Sequence, residues 1–151
     1  MKKANIIISI ISTTAILFFA GCKKKTEDST PTAVTLIKGQ AKAELNLTTP
    51  GDENVPDGTK ITFLVNPNDL LNKPDTAKKY DSYRYTATVS GGVYSISVPA
   101  RNDGSKVKIV PDEFEYQMVI DNTTTTRVVY GAPEATITIY AGTTEYYDVN
   151  Y

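Results

Sequence analysis

The sequence predicts an all-β fold, a single antiparallel β-sandwich of about seven strands. Three observations carry that reading. Short runs alternate apolar and polar side chains, the period of a half-buried strand. No segment from Val34 onward sustains the 3.6-residue apolar repeat of a helix. Strand-favouring residues are abundant, with 21 threonines and 10 tyrosines, and clusters of Gly, Pro, Asn and Asp punctuate the runs.

Taken in order, Ala41, Ala43, Leu45 and Leu47 alternate with Lys42, Glu44 and Asn46. Ile61, Phe63 and Val65 follow, then Tyr83, Tyr85, Ala87 and Val89 between Arg84, Thr86 and Thr88. Tyr94, Ile96 and Val98 alternate with serines, and Phe114, Tyr116, Met118 and Ile120 with Glu115 and Gln117. Ala135, Ile137 and Ile139 close the series. Gly91-Gly92 is a two-residue turn signal that tolerates positive φ at both positions. It predicts a hairpin in which Val89 faces Tyr94, Ala87 faces Ile96 and Tyr85 faces Val98. Pro99 ends the second of these strands, having no N–H for the ladder. The connections are Pro50–Gly58, Asn66–Tyr80, Gly91-Gly92, Arg101–Gly104, Asp121–Thr125, Gly131–Pro133 and Ala141-Gly142. Only Asn66–Tyr80 is long, and it carries no regular pattern.

Composition excludes much of chemistry. Hydrophobic residues make up 40% and charged residues 22% of the chain, a globular balance. Histidine and tryptophan are absent, so there is no Ser-His-Asp or Cys-His system, no HExxH zinc site and no imidazole switch. A net charge of −1 leaves no electrostatic footprint for nucleic acid. A glycosidase needs two facing carboxylates, and Asp112, Glu113 and Glu115 lie in or beside a turn with no partner to oppose them. The chain therefore reads as a non-enzyme with no cofactor.

The N-terminus carries an address. Lys2 and Lys3 precede an apolar stretch from Ile6 to Ala20, shorter than the ~20 residues of a membrane-spanning helix and suited to a signal-peptide core. Phe19-Ala20-Gly21-Cys22 resembles the lipobox of bacterial lipoproteins, with Phe where Leu is commoner. The resemblance implies cleavage before Cys22, the single cysteine, and its lipidation. Two or more acyl chains anchor a protein stably without a spanning helix. The expected organisation is a signal peptide over 1–21, a lipidated Cys and polar tether over 22–33, and the sandwich over 34–151. Lys23-Lys24-Lys25 followed by Glu27-Asp28 is similar to the charged tether of Bacteroidetes-type surface lipoproteins, and it reads equally as a plain solvated leash. The expected location is a membrane, the outer membrane first, with the domain periplasmic or surface-exposed.

A second resemblance covers residues 37–100. Ile37-Lys38-Gly39-Gln40-Ala41, the turn Val55-Pro56-Asp57-Gly58, Tyr85-Thr86-Ala87-Thr88 and Tyr94-Ser95-Ile96-Ser97-Val98-Pro99 fall in the order of carboxypeptidase-regulatory-like and transthyretin-like (prealbumin-like) modules. Ser90 stands where those modules carry Asp, and the Asn66–Tyr80 connection is longer than theirs. The resemblance implies a seven-stranded sandwich acting as a docking, binding or structural module of the cell envelope. An adhesin-like or pilus-associated subunit and a glycan-binding surface lipoprotein are the alternatives. The partners expected are the membrane through the anchor and an envelope protein or a glycan.

Candidate sites are few. Asp52, Glu53, Asn54 and Asp57 gather oxygens that suit Ca²⁺, but their order departs from the EF-hand loop and equally describes a solvated turn. Tyr80 and Tyr147 are aromatic candidates for a glycan or protein contact, set against ordinary packing. Binding residues concentrate on irregular loops carried by a rigid scaffold, which singles out Leu70 and Leu71 in the long connection. That apolar pair reads either as a plug for an open edge of the sandwich or as an exposed docking knob.

Overall fold

The computed structural model describes residues 33–151. The signal-peptide segment 1–21, Cys22 and the tether up to residue 32 lie outside the described residues. In chain order the strands are β1 (Val34–Ala43), β2 (Glu53–Asn54), β3 (Lys60–Val65), β4 (Tyr83–Thr88), β5 (Val93–Pro99), β6 (Ser105–Pro111), β7 (Phe114–Val119), β8 (Thr125–Tyr130), β9 (Ala135–Ile139), β10 (Thr144–Tyr146) and β11 (Val149–Asn150). A single 3-10 turn, Pro67–Leu70, interrupts them.

The fold is an all-β sandwich. One sheet centres on β1, with β5 antiparallel along one side and β10 then β11 in succession along the other. The short β2 continues the β5 side at Lys42 and Ala43. The facing sheet runs β4-β3-β6-β9, antiparallel throughout. Alternation supplies the core from both sheets. Ile37, Ala41, Tyr94 and Val98 face Ile61, Phe63, Val65, Val107, Ile109 and Ile139, and all are buried. The Phe63 and Tyr94 rings meet across the sandwich at 5.9 Å, tilted by 44°. With no cysteine among the described residues, this buried apolar layer is what opposes the conformational entropy of the chain.

The count of about seven holds for the sandwich itself, with β10 and β11 forming one discontinuous lane and β2 extending the lane of β5. Two features depart from the expectation. The β1–β10 and β1–β11 ladders are parallel, because the chain after β9 crosses back to the start of β1 and runs alongside it. The remaining strands, β7 and β8, form a separate two-stranded ribbon, inserted between the facing-sheet strands β6 and β9. Its base is held by stacked Phe114 and Tyr130 rings at 5.1 Å and by the Tyr151 edge on Phe114 at 5.0 Å. Val119 ties the ribbon to the segment after β1, donating to the Leu45 carbonyl and accepting from the Leu47 amide.

The predicted hairpin is corrected. The turn is there, with Gly91 at φ 60° and Gly92 at φ 76°, and Ser90 pairs with Val93. Beyond that bridge the strands part. Ala87 pairs with Ile61 of β3, while Ile96 pairs with Ile37 of β1. Inward residues of two facing sheets alternate just as those of two paired strands do, so the pattern located the faces and not the partners. Two further expectations shift. Strand β1 begins at Val34 and ends at Ala43, leaving Leu47 48% exposed. Tyr83, on the parity of Ala87, lies at the end of edge strand β4 and is 53% exposed.

Glycine is obligatory at one strand position. A Cβ on Gly39 would collide with the Tyr147 carbonyl and come within 2.8 Å of the Tyr94 hydroxyl. That close approach is where the parallel lane joins β1, and Tyr94 seals it by donating its hydroxyl to the Tyr147 carbonyl.

Candidate functional site

Strand direction divides the loops between two ends of the sandwich. At the end where β1 begins lie Pro99–Gly104, the Ala141-Gly142 turn and the Asn66–Tyr80 connection. At the other lie the Pro50–Gly58 connection, the Gly91-Gly92 turn and the β7–β8 ribbon.

At the first end the Asn66–Tyr80 connection is built rather than slack. Asn66 caps the 3-10 turn by accepting from the Asn68 amide at 3.0 Å, with Pro67 opening the turn. The Asn68 side-chain amide donates to the Lys78 carbonyl at 3.2 Å, closing the loop on itself, while its Oδ1 is buried with no partner among the described residues. Arg101 clamps the loop to the β5–β6 turn. Its guanidinium donates to both Asp103 oxygens, at 2.7 and 2.6 Å, and to the Leu71 carbonyl. The Ser105 hydroxyl accepts from the Arg101 amide and donates to the Asp69 carbonyl. The Arg101 guanidinium holds the Asp103 carboxyl below the usual carboxylate range, so that pair stays charged near neutrality.

This clamp divides the two leucines. Leu70 is half-buried against the core, whereas Leu71 is 38% exposed. The plug reading describes Leu70, and only Leu71 has the exposure a knob requires. Between the loop and β6 opens a groove of about 410 Å³, lined among others by Asn68, Asp69, Leu71, Pro74, Arg101 and Lys106. Its lining sets amides, carboxylates and two cations beside the apolar Leu71 and Pro74, a mixed surface that can meet hydroxyl-bearing or charged groups.

The remaining candidates are placed as follows. Tyr80 is 38% exposed at the end of the long connection. Tyr147 is half-buried against the core, with its carbonyl taken by Tyr94 and its amide donating to Lys38. Its neighbour Tyr146 points outward and is 78% exposed.

At the far end, the four oxygen-bearing residues have separate tasks. Glu53 accepts from the Leu45 amide at 2.8 Å and the Thr49 hydroxyl at 2.7 Å, bonds that lower its pKa. Asn54 accepts from Lys42 and donates to the Gly91 carbonyl. Asp57 accepts from the Gly91 amide at 2.6 Å, joining the Pro-Asp-Gly turn to the glycine turn. Asp52 is exposed. Among the described residues no three His, Cys, Asp or Glu side chains gather to hold a metal ion.

No family model matches the chain, and no curated protein matches it. The groove is therefore read from its own chemistry. Sequence reasoning missed Arg101, Asp103, Ser105 and Lys106, whose segment reads only as a tight turn. The available signal was Arg101-x-Asp103, a spacing that lets one guanidinium meet a carboxylate across a turn and still reach a neighbouring loop.

Proposed function

We propose that this protein is a membrane-anchored lipoprotein of the cell envelope, attached through Cys22, whose sandwich is a non-catalytic binding module of the transthyretin-like kind. The observation that carries the reading is the step Phe19-Ala20-Gly21-Cys22 after a short apolar core, followed at once by three lysines. No core strand begins with Lys-Lys-Lys, so a buried role for this cysteine is a poor fit. The sandwich supports a module role because its irregular loop is braced by Arg101 on a rigid scaffold, which suits recognition. The described chain enters the sandwich at Val34, at the end that holds the groove.

The test is fractionation. Wild-type protein is expected in the detergent phase as a processed species. Cys22→Ser is expected to leave a soluble or unprocessed precursor. A Cys22→Ser protein that is still processed and still needs detergent would falsify the anchor.

One observation favours a second reading, an adhesin-like or pilus-associated subunit. The outer edge of β8 has no strand partner among the described residues, and an unpaired edge is a template for strand addition. Self-assembly of the purified protein, abolished by Val129→Pro at a residue whose N–H points away from β7, supports this reading; a monomer at all concentrations excludes it.

A further inference from the structure

The outward face of the four-stranded sheet segregates charge. Strands β3, β4, β6 and β9 carry Lys60, Arg84, Lys106 and Lys108 and no Asp or Glu, in a chain whose acids outnumber its bases 17 to 16. The four cations alternate with the core positions, so they project from the outer face, and all are exposed. Register spaces them. Leu64 pairs with Arg84 on one side and Lys108 on the other, which sets those two cations about 10 Å apart, two strand spacings. Lys106 lies two residues from Lys108 along β6, roughly 7 Å. Lys108 is met by Glu134 at 2.5 Å, while Lys60, Arg84 and Lys106 have no ion-pair partner among the described residues. The other exposed outward positions are Thr86, Thr88, Thr136 and Thr138. Lys106 and Thr138 also line the groove beside the long loop, so the face and the groove are continuous.

We propose that this surface binds an acidic polysaccharide, a sugar chain bearing carboxylate or sulfate groups, laid across the strands over Arg84, Lys108 and Lys106 with one unit entering the groove. Charge complementarity chooses the class. A compact anion is held by donors converging on one point, whereas these cations stand in a spread array that suits anions distributed along a chain. Threonine hydroxyls between the cations match sugar hydroxyls, as donors and acceptors both. Asp69 and Asp103 in the groove wall make that end a place for a hydroxyl-bearing unit. A lipid surface would be met by inserted apolar side chains, and the exposed outward positions of these strands are all Thr, Lys or Arg. The proposal rests on the binding-module reading and is independent of the lipid anchor.

The full chain in detergent is tested against polygalacturonate and dextran sulfate, with uncharged dextran as the control. Wild type is expected to bind one or both acidic polymers and not dextran, with affinity falling as salt screens the charges. Arg84→Glu with Lys106→Glu is expected to lose at least tenfold at an unchanged melting temperature. Lys38→Glu with Arg127→Glu alters net charge equally on other surfaces, β1 and the β7–β8 ribbon, and is expected to retain binding within about twofold. No binding to either acidic polymer, or equal losses in the two double variants, overturns the proposal. So does a loss in the Arg84/Lys106 variant confined to detergent micelles doped with phosphatidylglycerol, with polysaccharide binding intact, which would assign the face to lipid headgroups. Because every arm uses solubilised protein, a failed anchor in the fractionation test leaves this result readable.

Discussion

Individual residues differ sharply in what they contribute, and burial and close contact decide the order. Phe63 is fully buried between the sheets, so Phe63→Ala is expected to cost about 3–5 kcal/mol. Thr88 is exposed on the opposite face of its sheet, and Thr88→Ala should stay within about 0.5 kcal/mol. Urea denaturation checks both, and equal costs would mean that the face assignment is wrong. Two glycines give a second contrast. Gly39→Ala forces a methyl into the Tyr147 carbonyl and is expected to be severely destabilising. At Gly131 a Cβ meets Glu113 at an ordinary 3.6 Å with no positive φ, so Gly131→Ala should be neutral or stabilising by about 0.4–1 kcal/mol. Tyrosines set the alkaline limit. Burial, then the nearby Asp112, pushes the Tyr151 hydroxyl up to about 12, and burial raises Tyr94 as well. A pKa raised in the folded state gives stability that is complete below the unfolded value of about 10 and is lost as pH rises through the folded value. The melting temperature is expected to hold to about pH 10 and fall above it, with a shallower fall in Tyr151→Phe. An unchanged slope in that variant would assign the alkaline loss elsewhere.

Elements differ in how much core they own. Strands β3 and β6 bury alternate side chains completely, whereas β7 and β8 contain no fully buried residue. A two-stranded ribbon alone is marginal in water, and this one is held at its base by Phe114, Tyr130 and Tyr151. Hydrogen exchange is therefore expected to protect β3 amides to near the global unfolding free energy and to release β8 amides much earlier. Similar protection in both would mean the ribbon folds as part of the core. The long connection makes the complementary case. Its anchoring is polar, through Arg101, Ser105 and Asn68, so Arg101→Ala is expected to speed proteolysis within residues 71–80 with only a small fall in melting temperature. A large fall would make the clamp part of the core's support.

At the scale of the whole molecule, Cys22 is the single cysteine and it precedes the sandwich. Stability then comes from the two-sheet core with no disulfide to constrain the unfolded chain. Reductant is expected to leave the melting temperature unchanged, and a reductant-sensitive transition would point to an intermolecular bridge. Most of the fold was legible because alternation reports burial directly: Ile61, Phe63, Val65, Ala87, Tyr94 and Val98 read as inward and are inward. Far less of the candidate site was legible. Leu70 and Leu71 read alike as an apolar pair in a loop, yet their burial differs, with the loop held by Arg101, thirty positions from Leu71 in sequence.

The sequence by itself determined the all-β class, the inward faces of the main strands, the positive-φ glycine turn and the absence of histidine-based chemistry. Those properties follow from local period, local backbone sterics and composition, which need no knowledge of distant neighbours. Only the tertiary structure decided that β4 and β5 part into facing sheets, that the last strands join β1 in parallel, and that β7 and β8 stand apart as a ribbon. It likewise decided which cations share a face, since Arg84 and Lys108 become neighbours only through their common pairing with Leu64. The physical reason is that a side-chain period of two specifies which face is buried, while the strand lying against that face is chosen by long-range closure of the core.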